Sequence, residues 1–143
     1  MTGVRLCWLL VLVCAVGCAN EEQGGVVIGK VIYQGKALTK GTVAFQPSEG
    51  EGQLCHGNIQ DDGTFKLKNQ LHGERVPFNE YIATVLVDNA TVAVMQENPL
   101  LVPKPEIPLK FSSVTNSPLR FKVESEANNI QIDLDNEEVA KKE

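Results

Sequence analysis

Asp61-Asp62-Gly63-Thr64-Phe65-Lys66-Leu67-Lys68 is the stretch whose reading settles the fold class. Asp-Gly tolerates the positive φ that a tight two-residue turn needs, and it is the strongest short hairpin signal. Beyond it, Phe65 and Leu67 alternate with Lys66 and Lys68, the period of a strand with one face inward. Before it, Leu54 to Gln60 alternates more weakly. Cys55, Gly57 and Ile59 fall on one face, and His56, Asn58 and Gln60 on the other. The two runs are expected to pair as an antiparallel hairpin with the lysines in solvent. Cys55 shares the Ile59 face, so it is expected to pack as a small apolar residue.

Upstream, Val26 to Tyr33 is rich in β-branched residues and reads as a strand covered on much of both faces. Gln34-Gly35-Lys36 is a turn, and Leu38 is placed to fold over the core. Thr42 to Gln46 is a second strand with Val43 and Phe45 inward, stopped by Pro47, which cannot donate to a ladder. Downstream, 69–79 reads as a polar loop and Tyr81 to Val87 as a long strand with Tyr81, Ala83, Val85 and Val87 inward. Five of the seven prolines lie in 98–118, which rules out a helix or a central strand there. Leu119, Phe121 and Val123 alternate with charged residues, as do Ile130, Ile132 and Leu134 with polar ones, and 124–129 is the turn between the two strands. No stretch after residue 25 has convincing helical periodicity. The expectation is an all-β chain: a single seven-stranded antiparallel Greek-key β-sandwich over 26–136, with a charged, mobile tail over 137–143.

The first 25 residues have a different character. Arg5 precedes an uninterrupted apolar run of 11 residues, Leu6 to Val16. A positive start, a short apolar core and a small-residue exit form the pattern of a secretory signal peptide, and the run is too short to span a bilayer. Ala15-Val16-Gly17-Cys18 resembles a bacterial lipobox, in which cleavage falls before a cysteine that becomes acylated. The resemblance implies a signal peptide over 1–17, lipidation at Cys18 with several acyl chains, and a polar linker over 18–25. Several chains make anchoring firm where one would be marginal. Ala19 stands where an aspartate is associated with inner-membrane retention, which favours the outer membrane. Cleavage leaves 126 residues carrying 12 basic and 18 acidic side chains, a net charge of −6. That balance argues against nucleic acid or anionic lipid as the main partner. Cys7 and Cys14 leave with the leader, so Cys55 has no partner within the chain for a disulfide.

A further resemblance rests on Gly29-Lys-Val-Ile-Tyr-Gln-Gly-Lys-Ala-Leu-Thr-Lys-Gly-Thr-Val-Ala-Phe45, Asp62-Gly63-Thr64-Phe65 and Glu80-Tyr81. These are similar to the opening "G-K-x-L…G-x-V-x-F", the "D-G-x-F" hairpin and the "G-x-Y-x-V" strand of carboxypeptidase regulatory-like (transthyretin-like) domains. Thr115 to Leu119 and Asn128 to Leu134 resemble the small lipoproteins of this type in planctomycete-like bacteria. Asn79-Glu80 departs from the glycine usual before the tyrosine. The resemblance implies a seven-stranded sandwich that is not an enzyme.

Candidate chemistry is sparse. His56 and His72 are the two histidines, and zinc wants three or four ligands. Cys55 and His56 are adjacent, so in a strand they point to opposite faces. Cys55 with a distant His72 would be a thiol nucleophile and base, which nothing in the spacing supports. Asp61-Asp62 supplies too few oxygens for calcium and is accounted for by the turn. Gly24-Gly25 precedes a strand, not the helix a phosphate loop needs. Asn89-Ala90-Thr91 is formally a glycosylation sequon, of little weight beside a bacterial lipobox. Lys30 with Asn128 or Asn129 is a candidate isopeptide pair, against a solvated lysine. The apolar residues of the Pro-rich segment, Leu100, Leu101, Val102, Ile107, Leu109 and Phe111, allow two readings: a flap over an open end of the sandwich, or an exposed ledge for a partner.

The expected function is that of a lipid-anchored, extracytoplasmic, non-enzymatic interaction or structural module of the cell envelope. No cofactor, metal or small-molecule substrate is expected, and the partner is an envelope protein or glycan. The alternatives are a carbohydrate-binding module of the same shape, for which Phe78 and Phe111 are the free aromatics, and a small thiol hydrolase using Cys55.

Overall fold

A computed structural model describes residues 24–50, 52–87 and 106–142. The leader, Cys18, Leu100, Leu101, Val102 and the Asn89 sequon lie outside the described residues. Within them the chain is all-β, two sheets enclosing one core. The strands are β1 (Gly24–Tyr33), β2 (Lys36–Ala37), β3 (Thr42–Pro47), β4 (Cys55–Asn58), β5 (Thr64–Lys66), β6 (Lys68–Asn69), β7 (Val76–Pro77), β8 (Asn79–Leu86), β9 (Arg120–Val123), β10 (Ala127–Asp133) and β11 (Glu138–Lys141). One sheet runs β11-β10-β1, with β7, β5 and β2 taking successive parts of the far side of β1. The other runs β6-β4-β3-β8-β9.

The inward positions follow the period-2 alternation. Val43, Phe45, Tyr81, Ala83, Val85, Leu119, Val123, Ile130 and Ile132 are all essentially inaccessible. The rings of Tyr81 and Phe121 lie 5.8 and 6.0 Å from that of Phe45, tilted against it as aromatic pairs prefer. Leu38 is buried over the core.

Pairing departs from expectation in four places. First, the Asp62-Gly63 turn forms and the hairpin closes only at its two ends, where the Gln60 amide donates to Thr64 O at 2.8 Å and His56 pairs with Lys68; its middle splits open. Gly63 takes φ +83°, and Asp62 Oδ1 accepts from the Thr64 amide and hydroxyl at 2.9 and 2.6 Å. The chain then crosses between sheets: β4 pairs with β3 and β6, while β5 pairs with β1. A side chain is missing at Gly29, whose Cβ would come 2.7 Å from both the Phe65 ring and Ile130. Phe65, opposite Gly29, fills that space, which draws β5 to β1. Leu67, fully buried between β5 and β6, donates its amide to Val27 O at 3.0 Å and joins the two sheets.

Second, the fold is not wholly antiparallel. β1 and β10 run parallel from Val26↔Ala127 to Ile32↔Asp133. A parallel pair needs a long crossover, and here nearly the whole chain supplies it. β9 and β10 belong to different sheets, so 124–126 is a crossing rather than a hairpin turn.

Third, Gly24 and Gly25 belong to β1 rather than to a linker, opposite Pro77 and Val76. A Cβ at Gly25 would sit 2.0 Å from Ser125 O, so the close approach requires glycine. Fourth, the tail is not free: Glu138–Lys141 pairs with β10, after a turn in which Asp133 accepts from the Asp135 and Asn136 amides.

Candidate functional site

The strand faces that look away from the core carry a well-developed concavity. β1 is covered on its inner face alone, and Ile28 is 44% exposed on the outer one. The register places Lys66 of β5 and Asn129 of β10 on either side of Ile28. The Lys142 amide donates to Asn129 O at 2.7 Å, extending the row across β11. A row Lys66–Ile28–Asn129–Lys142 thus crosses four strands, about 14 Å from end to end at ordinary strand spacing. Lys30 lies two residues along β1 from Ile28, with Thr64 opposite it. Beyond β5, His56 and Asn58 of β4 and Lys68 of β6 face outward along the same groove, whose volume is about 740 Å³.

Four lysines (Lys30, Lys66, Lys68 and Lys142) and one carboxylate, Glu74, line this groove, in a chain whose net charge is −5. Glu74 is ion-paired with Lys66 at the surface. The hydrogen bond and charge of Lys66 hold the Glu74 carboxyl below the usual carboxylate range, and Lys68 adds a smaller pull. At the other end, the Thr64 donors lower Asp62, with Lys30 contributing last and least. The Glu74 shift reflects the lysines around it, whereas that of Asp62 is set chiefly by its own turn. Between the lysines lie neutral hydrogen-bonding groups: Asn58, Gln60, Thr64 and Asn129.

The other candidates are placed as follows. Ile107 and Phe111 are buried, so they form no exposed ledge. A 3-10 turn over Leu109–Ser112 follows Pro108 and drives Phe111 into the core, leaving Leu109 outside at 68% exposure. Phe111 is therefore no sugar platform either; Phe78 remains partly exposed. Cys55 is buried, and burial pushes its thiol up. Its Sγ lies 3.6 Å from both Asn69 Nδ2 and Gln53 O. His56 points to the opposite face. His72 lies in the turn after β6, its amide donating to Asn69 Oδ1 at 3.3 Å. Among the described residues no three of His, Cys, Asp or Glu gather as a metal cluster. Asn128 is buried opposite Val27 and donates to Ser125 O at 2.6 Å, on the face away from Lys30. Asn129 shares the outer face with Lys30, but the residue opposite Lys30 is Gln131.

Sequence reading places Lys66 and Lys68 in solvent but does not gather them with Lys30 and Lys142. The gathering depends on β5 pairing with β1 and on β11 pairing with β10, neither of which alternation encodes. No protein-family model, curated protein or solved structure matches the chain.

Proposed function

We propose that this chain is a lipid-anchored, extracytoplasmic β-sandwich of transthyretin-like type, acting without catalysis as a binding module of the cell envelope. The basic groove on the outer face of β1, β5 and β10 is its docking site, and this groove is the observation that carries the reading. A thiol hydrolase is disfavoured, because Cys55 is buried, hydrogen-bonded and raised in pKa. The anchor is supported by the lipobox-like Ala15–Cys18. Six residue steps from Cys18 to Gly24 reach at most about 20 Å. The domain then stands close to its membrane, the outer one being favoured by Ala19.

The anchor is tested by fractionation and mass spectrometry. The expected product begins at an acylated Cys18, and Cys18→Ala is released from membranes. A chain cut elsewhere, or a Cys18→Ala protein that stays membrane-bound, defeats the anchor. Docking is tested by recovery of envelope material on the wild-type protein and its loss when Lys30, Lys66 and Lys142 are replaced by glutamine.

A further inference from the structure

We propose that the basic groove binds a carboxylate-bearing glycan chain; this rests on the reading of the groove as the docking site and names its ligand class. Three features select that chemistry.

Charge comes first. Lys30 and Lys66 are diagonal neighbours across the β1–β5 pair, about 7–8 Å apart, and Lys142 closes the row on the far side of Asn129. Cations spread along a groove, rather than converging on one point, suit negative charges that recur along a chain. A single phosphate would want convergent donors.

The neutral groups come second. Asn58, Gln60, Thr64 and Asn129 are interleaved with the lysines. Each amide side chain offers donors and an acceptor, and the Thr64 hydroxyl, whose proton goes to Asp62 Oδ1, offers an acceptor. That is the complement of a ligand rich in hydroxyls. Ile28, exposed between Lys66 and Asn129, supplies an aliphatic patch for the C–H face of a sugar ring.

The third feature disfavours an acidic peptide. Peptides commonly join a sheet by adding a strand to an open edge, with main-chain hydrogen bonds supplying affinity. The groove instead lies on strand faces. Beneath it β1 is hydrogen-bonded on both sides, to β5 and to β10. A bound peptide would find no open edge of β1 to pair with.

Glu74 competes for Lys66 from within the protein. Removing its charge therefore strengthens binding, whereas loss of a merely supporting ion pair would not.

The test is calorimetric titration of the full-length protein in neutral detergent with an alginate oligosaccharide. A neutral cello-oligosaccharide of equal length and a poly-glutamate peptide serve as comparators. Alginate is expected to bind, at least about tenfold more tightly than the neutral glycan, and more weakly as salt rises. The Lys30→Gln/Lys66→Gln/Lys142→Gln variant is expected to lose about tenfold while keeping its melting temperature. Glu74→Gln is expected to gain about twofold to fivefold. Absent alginate binding, equal binding of the neutral glycan, or an unaffected triple variant overturns the proposal. Tighter binding of poly-glutamate overturns the glycan and leaves the docking site standing. If the triple variant also recovers envelope material like wild type, the docking site falls as well.

Discussion

Gly57 lies against the backbone of Lys66 so closely that a β-carbon there would sit 2.3 Å from the Lys66 carbonyl oxygen. This contact brings β4 alongside β5 at the corner where the chain passes from one sheet to the other. The obstruction is backbone and cannot rotate away. Gly57→Ala is expected to cost about 1–3 kcal/mol, as overpacking does, read as a lower urea midpoint at unchanged slope. A midpoint equal to wild type would show that β4 and β5 separate freely.

The segment 106–112 makes a contrasting pair of substitutions available. Phe111 is fully buried and Leu109 mostly exposed, two residues apart on one 3-10 turn. Phe111→Ala is expected to destabilise by about 3–5 kcal/mol, and Leu109→Ala by no more than about 0.5 kcal/mol. Thermal and urea unfolding of the two variants decide the matter. Equal small effects would return the segment to the status of a surface ledge.

These residues also mark what the sequence discloses. The inward set was legible because alternation assigns each residue to a face: Phe45, Tyr81, Phe121 and Ile130 need no partner to be read. Partner identity was not legible. The Asp62-Gly63 turn has the signal of a hairpin, but the vacancy over Gly29 that accepts Phe65 appears only once β5 meets β1. The parallel pairing of β1 with β10 joins residues about a hundred positions apart. Ile107 and Phe111 were legible as apolar, with burial under a flap one of two readings, since a proline-punctuated stretch has no period from which a face can be read. The groove combines these illegible pairings, and so it went unseen.

Alkaline pH should weaken the fold. Burial raises the Cys55 thiol above its ordinary value of 9.0, and burial likewise raises Tyr81, whose hydroxyl donates to Pro77 O at 2.9 Å. A folded-state pKa above the unfolded one means the native state holds its proton more tightly. The stabilisation is complete below pH 9 and is lost as pH climbs from there toward the folded values. The urea midpoint is expected to fall between about pH 9 and pH 11, and less steeply in Cys55→Ala. An identical fall in that variant would remove Cys55 from the account.

Acid should weaken it for a converse reason. Asp62 and Asp133 are lowered by the donors of their own turns, Thr64 for the first and Asn136 for the second. Their contribution is present above the ordinary carboxylate range and is lost as pH falls below about 4. Asp62 is exposed and Asp133 half-buried, both within reach of solvent, so the slope should be shallow. Asp62→Ala is expected to flatten it, while the Asp62-Gly63 turn loses the acceptor for the Thr64 amide and hydroxyl. A low-pH limb unchanged in Asp62→Ala and Asp133→Ala would assign the acid sensitivity to other groups.

β11 does two separable things. Its pairing covers the outer edge of β10 at four register positions, and Val139 packs partly against the core. It also carries the chain to Lys142, at the end of the groove's cation row. Ending the chain at Glu137 removes both functions. The exposed edge of β10 then presents unpaired amides and carbonyls, the usual template for intermolecular pairing. The truncated protein is expected to melt several degrees lower, since about 1 kcal/mol shifts a domain of this size by a few degrees. It is also expected to scatter light on standing. Lys142→Gln keeps the edge covered and removes a charge alone, so it should melt like wild type and stay clear in solution while losing affinity for alginate. If Lys142→Gln aggregates as the truncation does, the edge is not what β11 protects. If the truncation binds alginate like wild type, Lys142 does not belong to the groove.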